Sequence, residues 1–230
     1  LQRKILYPAV LVLLVLILDQ ILKIWVKTTF TYTQSMPVFG DWFLLHFIEN
    51  NGFAFGQELG GQYGKLALTL FRLLAVGFLG WYIYSLITDQ KSRYRLGYIL
   101  MVSLIFAGAM GNIIDSVFYG MLFSESNYHI STPAQFLPTD GGYAGLFHGK
   151  VVDMLHFPII DTYLPEWVPF WGGERFEFFR PIFNIADSAI TSGVMGILLF
   201  YRAELKTNEK DNKEAQPNHG DNEAVASTAV

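Results

Sequence analysis

The stretch Ala107–Gly120, AGAMGNIIDSVFYG, closes an apolar run that begins near Leu96, and its reading decides what kind of molecule this is. Asn112 and Asp115 stand three residues apart, so on a helix they share one face. An ionisable side chain in a lipid-spanning segment is costly unless it faces a bundle interior or a water-filled cavity. Ala107, Gly108 and Gly111 beside it are small enough for helix backbones to approach closely. The stretch therefore reads as the outer end of a membrane-spanning helix with a polar edge turned toward partner helices.

Working outward, the rest of the chain fits this reading. Hydrophobic residues make up 52% of the 230 and charged residues only 16%, which marks an integral membrane protein. The formal charge of -4 excludes a strongly basic nucleic-acid-binding surface. With no cysteine there is no disulfide, thiolate metal site or cysteine nucleophile. Further apolar runs lie at Ile5–Val26, Leu66–Ile87 and Ile182–Tyr201, so the expectation is four spans. Arg3 and Lys4 before the first run raise the possibility of a secretory signal peptide. No A-x-A-like site follows, and DQILKIWVK continues the helical pattern, which favours a retained helix.

Lys and Arg near span ends stay on the cytoplasmic side, which places Arg3, Lys4, Lys91, Arg93 and Arg95 inside together with both termini. The segments between spans one and two, and between three and four, then face outward. The first contains VFGDWFLLHFIENNGFAFG, whose alternation and glycine punctuation predict short strands within residues 36–60. The second, residues 120–181, carries PEWVPFWGGERFEFF, and such aromatics favour the headgroup boundary, so this region is expected to rest on the bilayer. The expected fold is an all-α membrane protein of four transmembrane helices with a small extracytoplasmic β-rich cradle and long outer loops. Residues 1–202 form the membrane domain, and residues 203–230 a polar, disordered cytoplasmic tail.

Depth brings the polar residues into register. At a rise of about 1.5 Å per residue, Asp19, Arg72, Asp115 and Asp187 all fall in one layer, roughly 10 Å or less below the outer boundary. Asp19 and Lys23 are four apart, and Asn184 and Asp187 repeat the Asn–Asp spacing of Asn112 and Asp115. Pro181 is expected at the start of the fourth helix, leaving Asn184 and Asp187 in its first turns, where the helix dipole favours an anion. Asparagines alone would serve as interhelical hydrogen-bonding groups. Two acids at matched depth go beyond that role, since close carboxylates in a low-dielectric site share a proton and can activate water for peptide-bond hydrolysis. A proton-coupled transporter would use similar acids but lacks an inverted repeat here, and a scaffold would not need the acids at all. There is no H-E-x-x-H, and His46, His129, His148, His156 and His219 fall in loops, the surface or the tail, so no metal or other cofactor is expected.

Five segments in order, DQILK (Asp19–Lys23), NNGFAFG (Asn50–Gly56), GNIID (Gly111–Asp115), VVDMLHF (Val151–Phe157) and FNIADSAI (Phe183–Ile190), resemble those of the bacterial lipoprotein signal peptidases, or signal peptidases II. The resemblance implies a membrane aspartic endopeptidase of the cytoplasmic (inner) membrane that removes signal peptides from prolipoproteins carrying a diacylglyceryl-cysteine. It implies Asp115 and Asp187 as the catalytic pair, and Asn112, Asn184, Asp19, Lys23, Asn50 and Gly52 as supporting residues; the expected partners are the prolipoprotein substrate and membrane lipids, and the expected state is a monomer. Asp153 is assigned a structural role. One departure is Ser116, where the family carries arginine after the first acid, and Arg72, Lys150 and Arg180 are the candidates to supply that charge. Trp42, Phe53 and Phe55 are candidates for a surface covering the substrate.

Overall fold

The computed structural model describes residues 2–51, 61–88 and 94–205. Gly52, Phe53, Phe55 and the tail beyond Leu205 lie outside the described residues. Helix α1 (Gln2–Thr29) leads into strands β1 (Ser35–Phe39) and β2 (Phe43–Asn50), followed by helices α2 (Gly61–Thr88) and α3 (Leu96–Ile114). A π-helical turn, Asp115–Tyr119, and the short α4 (Gly120–Leu122) extend α3. Strands β3 (Val151–His156), β4 (Ile160–Tyr163), β5 (Arg175–Phe178) and β6 (Ile182–Phe183) precede α5 (Ile185–Phe200).

Among the described residues, three helices are long and apolar enough to cross a membrane: Gln2–Thr29, Tyr63–Thr88 and Leu96–Leu122. The fourth, Ile185–Phe200, is apolar but shorter. It begins later than the sequence suggests, because Ile182 and Phe183 pair with His156 and Leu155 as a strand, leaving Pro181 outside the helix. Asn184 is the residue that starts it. Its side chain accepts from the Asp187 N–H while the Asp187 carboxylate accepts from the Asn184 N–H, a reciprocal cap that satisfies two otherwise unpaired donors.

Helix α5 packs directly on α3, and small residues permit it. A Cβ at Gly108 would lie 2.1 Å from the Ala186 carbonyl oxygen, so a larger residue would force the helices apart. Large side chains such as Leu13, Ile21, Leu74, Phe78 and Leu199 are exposed on the helices, as expected of surfaces that meet hydrocarbon.

Strands are present within the described part of residues 36–60, and the segment between α3 and α5 contributes further ones. One antiparallel sheet runs β1-β2-β3-β6, with Asp153 of β3 opposite Ile48 of β2. One face of this sheet and the C-terminal end of α1 share a core of Val26, Phe30, Phe47, Tyr119, Phe123 and Met154. A separate two-stranded ribbon pairs β4 with β5.

The π turn explains part of the long segment after α3. A π turn displaces backbone groups from the regular ladder, and those groups need other partners. Here the N–H groups of Gly149, Phe147 and Ala144 donate to the carbonyls of Ser116, Val117 and Gly120 at 2.9, 3.1 and 2.9 Å. A Cβ on Gly149 would lie 2.0 Å from the Asp115 carbonyl oxygen, so this loop reaches the turn only with glycine there.

Candidate active site

The site is organised around Lys23, which is fully buried. Its ammonium has three donors and uses them on Asp19 Oδ2 at 2.8 Å, Asp115 Oδ2 at 2.8 Å and Asn112 Oδ1 at 2.9 Å. Asp19 also accepts the Ala186 N–H at 2.9 Å, so α1 supplies an anion to the first turn of α5. The i,i+4 pair of Asp19 and Lys23 expected on α1 is therefore present, and it ties α1 to both α3 and α5.

Asp115 is wholly enclosed by structural partners. Its Oδ1 accepts from Gln20 Nε2 at 3.0 Å, and its Oδ2 from Lys23 and from the Val152 N–H at 3.3 Å. Gln20 is held in turn by the Tyr119 hydroxyl at 3.0 Å. No hydrogen bond joins Asp115 to Asp187 among the described residues.

A second carboxylate, Asp153, lies near enough to Asp187 to feel its charge. The Asn184 amide nitrogen donates to Asp153 Oδ1 at 2.7 Å and to Asn112 Oδ1 at 3.1 Å, while the Asn184 amide oxygen accepts the Asp187 N–H at 2.9 Å. Asn112 Nδ2 donates to Asp187 Oδ1 at 2.8 Å. The two asparagines anticipated on α3 and α5 thus meet, holding Asp187 and Asp153 on either side. Burial pushes the Asp153 carboxyl up to about 7, and the negative charge of Asp187 adds to that shift. Asn50 lies beside Asp153, its amide nitrogen 3.5 Å from Oδ2.

Arg72 on α2 has Asp187 and Asp153 as its electrostatic partners, in that order. Lys150 faces Glu49, at 3.6 Å, within a separate cluster in which Lys27 pairs with Glu49 and sits over the Phe47, Phe123 and Tyr143 rings. Arg180 is exposed. Ser116 is buried, and its hydroxyl donates to the Asn112 carbonyl at 3.0 Å. Of Arg72, Lys150 and Arg180, Arg72 is the cation whose charge is coupled to Asp187 and Asp153.

Asp187 opens into a groove of about 440 Å³ lined by Phe179, Pro181, Phe183, Ser188, Thr191 and Ser192. Beside it an aromatic row crosses the sheet: Phe43 stacks on Phe157 at 4.6 Å, Phe157 on Phe183 at 5.8 Å, and Trp42 lies 6.4 Å from Phe157. Among the described residues, no cluster of three or more His, Asp or Glu side chains is arranged to hold a metal ion. His46 and His156 lie on the sheet, where His156 meets Glu177 at 3.0 Å.

A profile of the family described as Signal peptidase (SPase) II matches residues 11–202. This chain belongs to the signal peptidase II family. It is similar to the lipoprotein signal peptidases of two strains of Porphyromonas gingivalis, 50% identical over 193 residues that cover 84% of this chain and 81% of theirs. The lipoprotein signal peptidase of Amoebophilus asiaticus is 35% identical over 84% of this chain and 77% of its own. Among solved structures, a bacterial membrane enzyme superposes with a TM-score of 0.53 at 25% identity over 93% of both chains. A second gives 0.52 at 27% identity over 85% of this chain and 92% of its own. As a signal peptidase II the chain is a protease, a hydrolase of lipoprotein processing.

Asp153, expected to be structural, is part of this hydrogen-bond network, and Gln20 and Tyr119 join it without having been expected there. Asp153 carries a usable signal, an acid in the middle of the buried apolar strand Val151–Met154. Gln20 and Tyr119 show none, because their importance comes from contacts across α1 and the π turn.

Proposed function

We propose that this chain removes signal peptides from diacylglyceryl-modified prolipoproteins by an aspartic mechanism in which Asp153 and Asp187 are the catalytic pair. Asp115 is then a positioning residue that holds Lys23 and the backbone of β3. The observation that carries this reading is that Asn184 donates to both carboxylates, from its side-chain amide to Asp153 and from its backbone N–H to Asp187, with the charge of Asp187 acting on Asp153.

The two acids are suited to different roles. Asp187 stands in the first turn of α5 and accepts from Asn112 and from the Asn184 N–H, with Arg72 as a nearby cation, so it carries the negative charge. Asp153 is buried and holds its proton to about neutral pH, so it is the acid. Asp187 takes a proton from water as the water oxygen bonds to the scissile carbonyl carbon, and Asp153 protonates the developing oxyanion. On collapse of the tetrahedral intermediate the C–N bond breaks. The leaving nitrogen receives the proton held by Asp187, and one hydroxyl of the intermediate returns a proton to Asp153, which restores the starting state.

The groove beside Asp187 suits a lipidated substrate. It lies where α5 leaves the sheet, and each substrate methylene buried there contributes about 0.8 kcal/mol. The substrate proposal rests on this groove together with family membership. With the four helices spanning a bacterial inner membrane and the basic residues Arg3, Lys4 and Arg95 inside, the acids and the sheet face the outer side, and the active form is a monomer.

The test is to incubate purified protein with a diacylglyceryl-modified precursor and with its unlipidated counterpart. A shortened product is expected from the first alone. Equal cleavage of both would overturn the substrate assignment.

A further inference from the structure

We propose that the β4–β5 ribbon is a membrane anchor that inserts its tip, Trp167–Gly173, into the outer-leaflet lipid beside the active site. The proposal is independent of which acids do the chemistry.

The ribbon stands apart from the main sheet. A two-stranded hairpin is marginal in water on its own, and seven of the eight residues in these strands are exposed. Its tip, WVPFWGG, carries no charge. Trp167, Phe170 and Trp171 are exposed to 82%, 94% and 59%, which is unfavourable against water but typical of side chains at a lipid headgroup boundary.

The tip is a built structure. Val168, Gly172 and Gly173 donate their N–H groups to the carbonyls of Pro165, Val168 and Leu164 at 3.0, 3.0 and 2.9 Å, so these donors do not depend on water. Gly172 runs so close to the chain that a Cβ would lie 2.5 Å from the Glu166 carbonyl oxygen. Phe170 has a φ of 70°, a left-handed conformation that a bulky residue rarely adopts, and it presents the ring outward. Exposed Glu166 and Glu174 flank the tip at its neck, and behind them Arg175 Nε donates to Asp161 at 2.7 Å across the strands and Glu177 meets His156 on the sheet.

The position of the feet selects lipid as the occupant. The ribbon leaves the sheet after Phe157 and returns at Phe179, and α5 begins at Ile185 and continues with the exposed apolar Leu198 and Leu199. Phe179 and Phe183 lie 6.2 Å apart and both line the groove at Asp187. The ribbon's base therefore sits at the level where α5 enters the bilayer, and strands of this length reach only roughly 13 Å from it. Anchoring the tip holds one wall of the groove against the membrane from which a lipid-borne substrate arrives.

The chain has no cysteine, so one introduced thiol reports one position. The full chain carrying Phe170→Cys is labelled with a nitroxide and reconstituted in phosphatidylethanolamine–phosphatidylglycerol vesicles. Collision rates with oxygen and with a water-soluble nickel chelate are compared by power saturation, with Leu198→Cys and Asp140→Cys as lipid and aqueous references. Oxygen access at least threefold above nickel access, close to the Leu198→Cys value, is expected. Nickel access matching Asp140→Cys overturns the proposal, and so does protection from both reagents, which would mean a protein partner or a second copy. If the Phe170→Cys chain does not fold, Trp167→Cys is judged by the same criterion.

Discussion

Replacing Asp153 and Asp115 one at a time by asparagine separates a reacting acid from a supporting one. Asp153→Asn keeps the side-chain oxygen that accepts from Asn184 but cannot give up or regain the catalytic proton. A general acid contributes about 10²–10⁴ in rate, so cleavage should fall about 10³-fold, equivalent to about 4 kcal/mol in barrier height. The fold should hold, since a buried acid is exchanged for a neutral group. Asp115→Asn instead removes one of two carboxylates from the buried Lys23. Breaking a buried pair outright costs about 3–5 kcal/mol, and because Asp19 retains the ammonium, about 2–3 kcal/mol is expected. For a chain of this size that lowers Tm by about 5–10 °C, with residual cleavage in the fraction that remains folded. The assay is turnover of a diacylglyceryl-modified precursor alongside a thermal melt of each purified variant in the same detergent. If Asp153→Asn cleaves within tenfold of the parent while Asp115→Asn melts normally and is inert, the pairing of Asp153 with Asp187 is wrong, and Asp115 is the partner expected from the motif.

The same carboxyl makes stability depend on pH. Its folded value of about 7 lies above the ordinary 3.8, so its favourable contribution is complete below about pH 4 and is lost as pH rises through 7, about 4 kcal/mol in all at 1.36 per unit. Melts of the parent should therefore weaken between about pH 4 and 7 more than those of Asp153→Asn, and parallel curves would contradict this. Loss of the Asp153 proton should also make cleavage fall above about pH 7, which a pH-rate profile of kcat/KM tests. Asn184→Ala removes the α5 cap, worth about 1 kcal/mol, and takes the amide donor from Asp153, so cleavage should drop about 10²-fold with only a small change in melting. Gly149→Ala drives a methyl into the Asp115 carbonyl and should destabilise the π turn by about 1–3 kcal/mol, measurable as a lower Tm.

The linear order of residues was enough to show a membrane protein, its apolar runs and the layer in which its charges lie. Hydrocarbon demands long uninterrupted apolar stretches and confines ionisable groups to a bundle interior, and both demands appear as local patterns. Asn112, Asp19, Lys23 and Asp187 were legible because each sits on a helix at a spacing that selects one face, and Asn184 because it stands at a helix start three residues before Asp187. That Asp153 joins the network of Asn112, Asn184 and Asp187 was not legible, since that depends on a strand. The two-residue pairing of β6 with β3 sets Asn184 beside Asp153, and the π turn aims Asp115 at Lys23 and Val152. Pairing register and a one-turn change in helix geometry leave almost no local signature. They follow from packing among distant segments, so only the assembled molecule decides which carboxylates face one another.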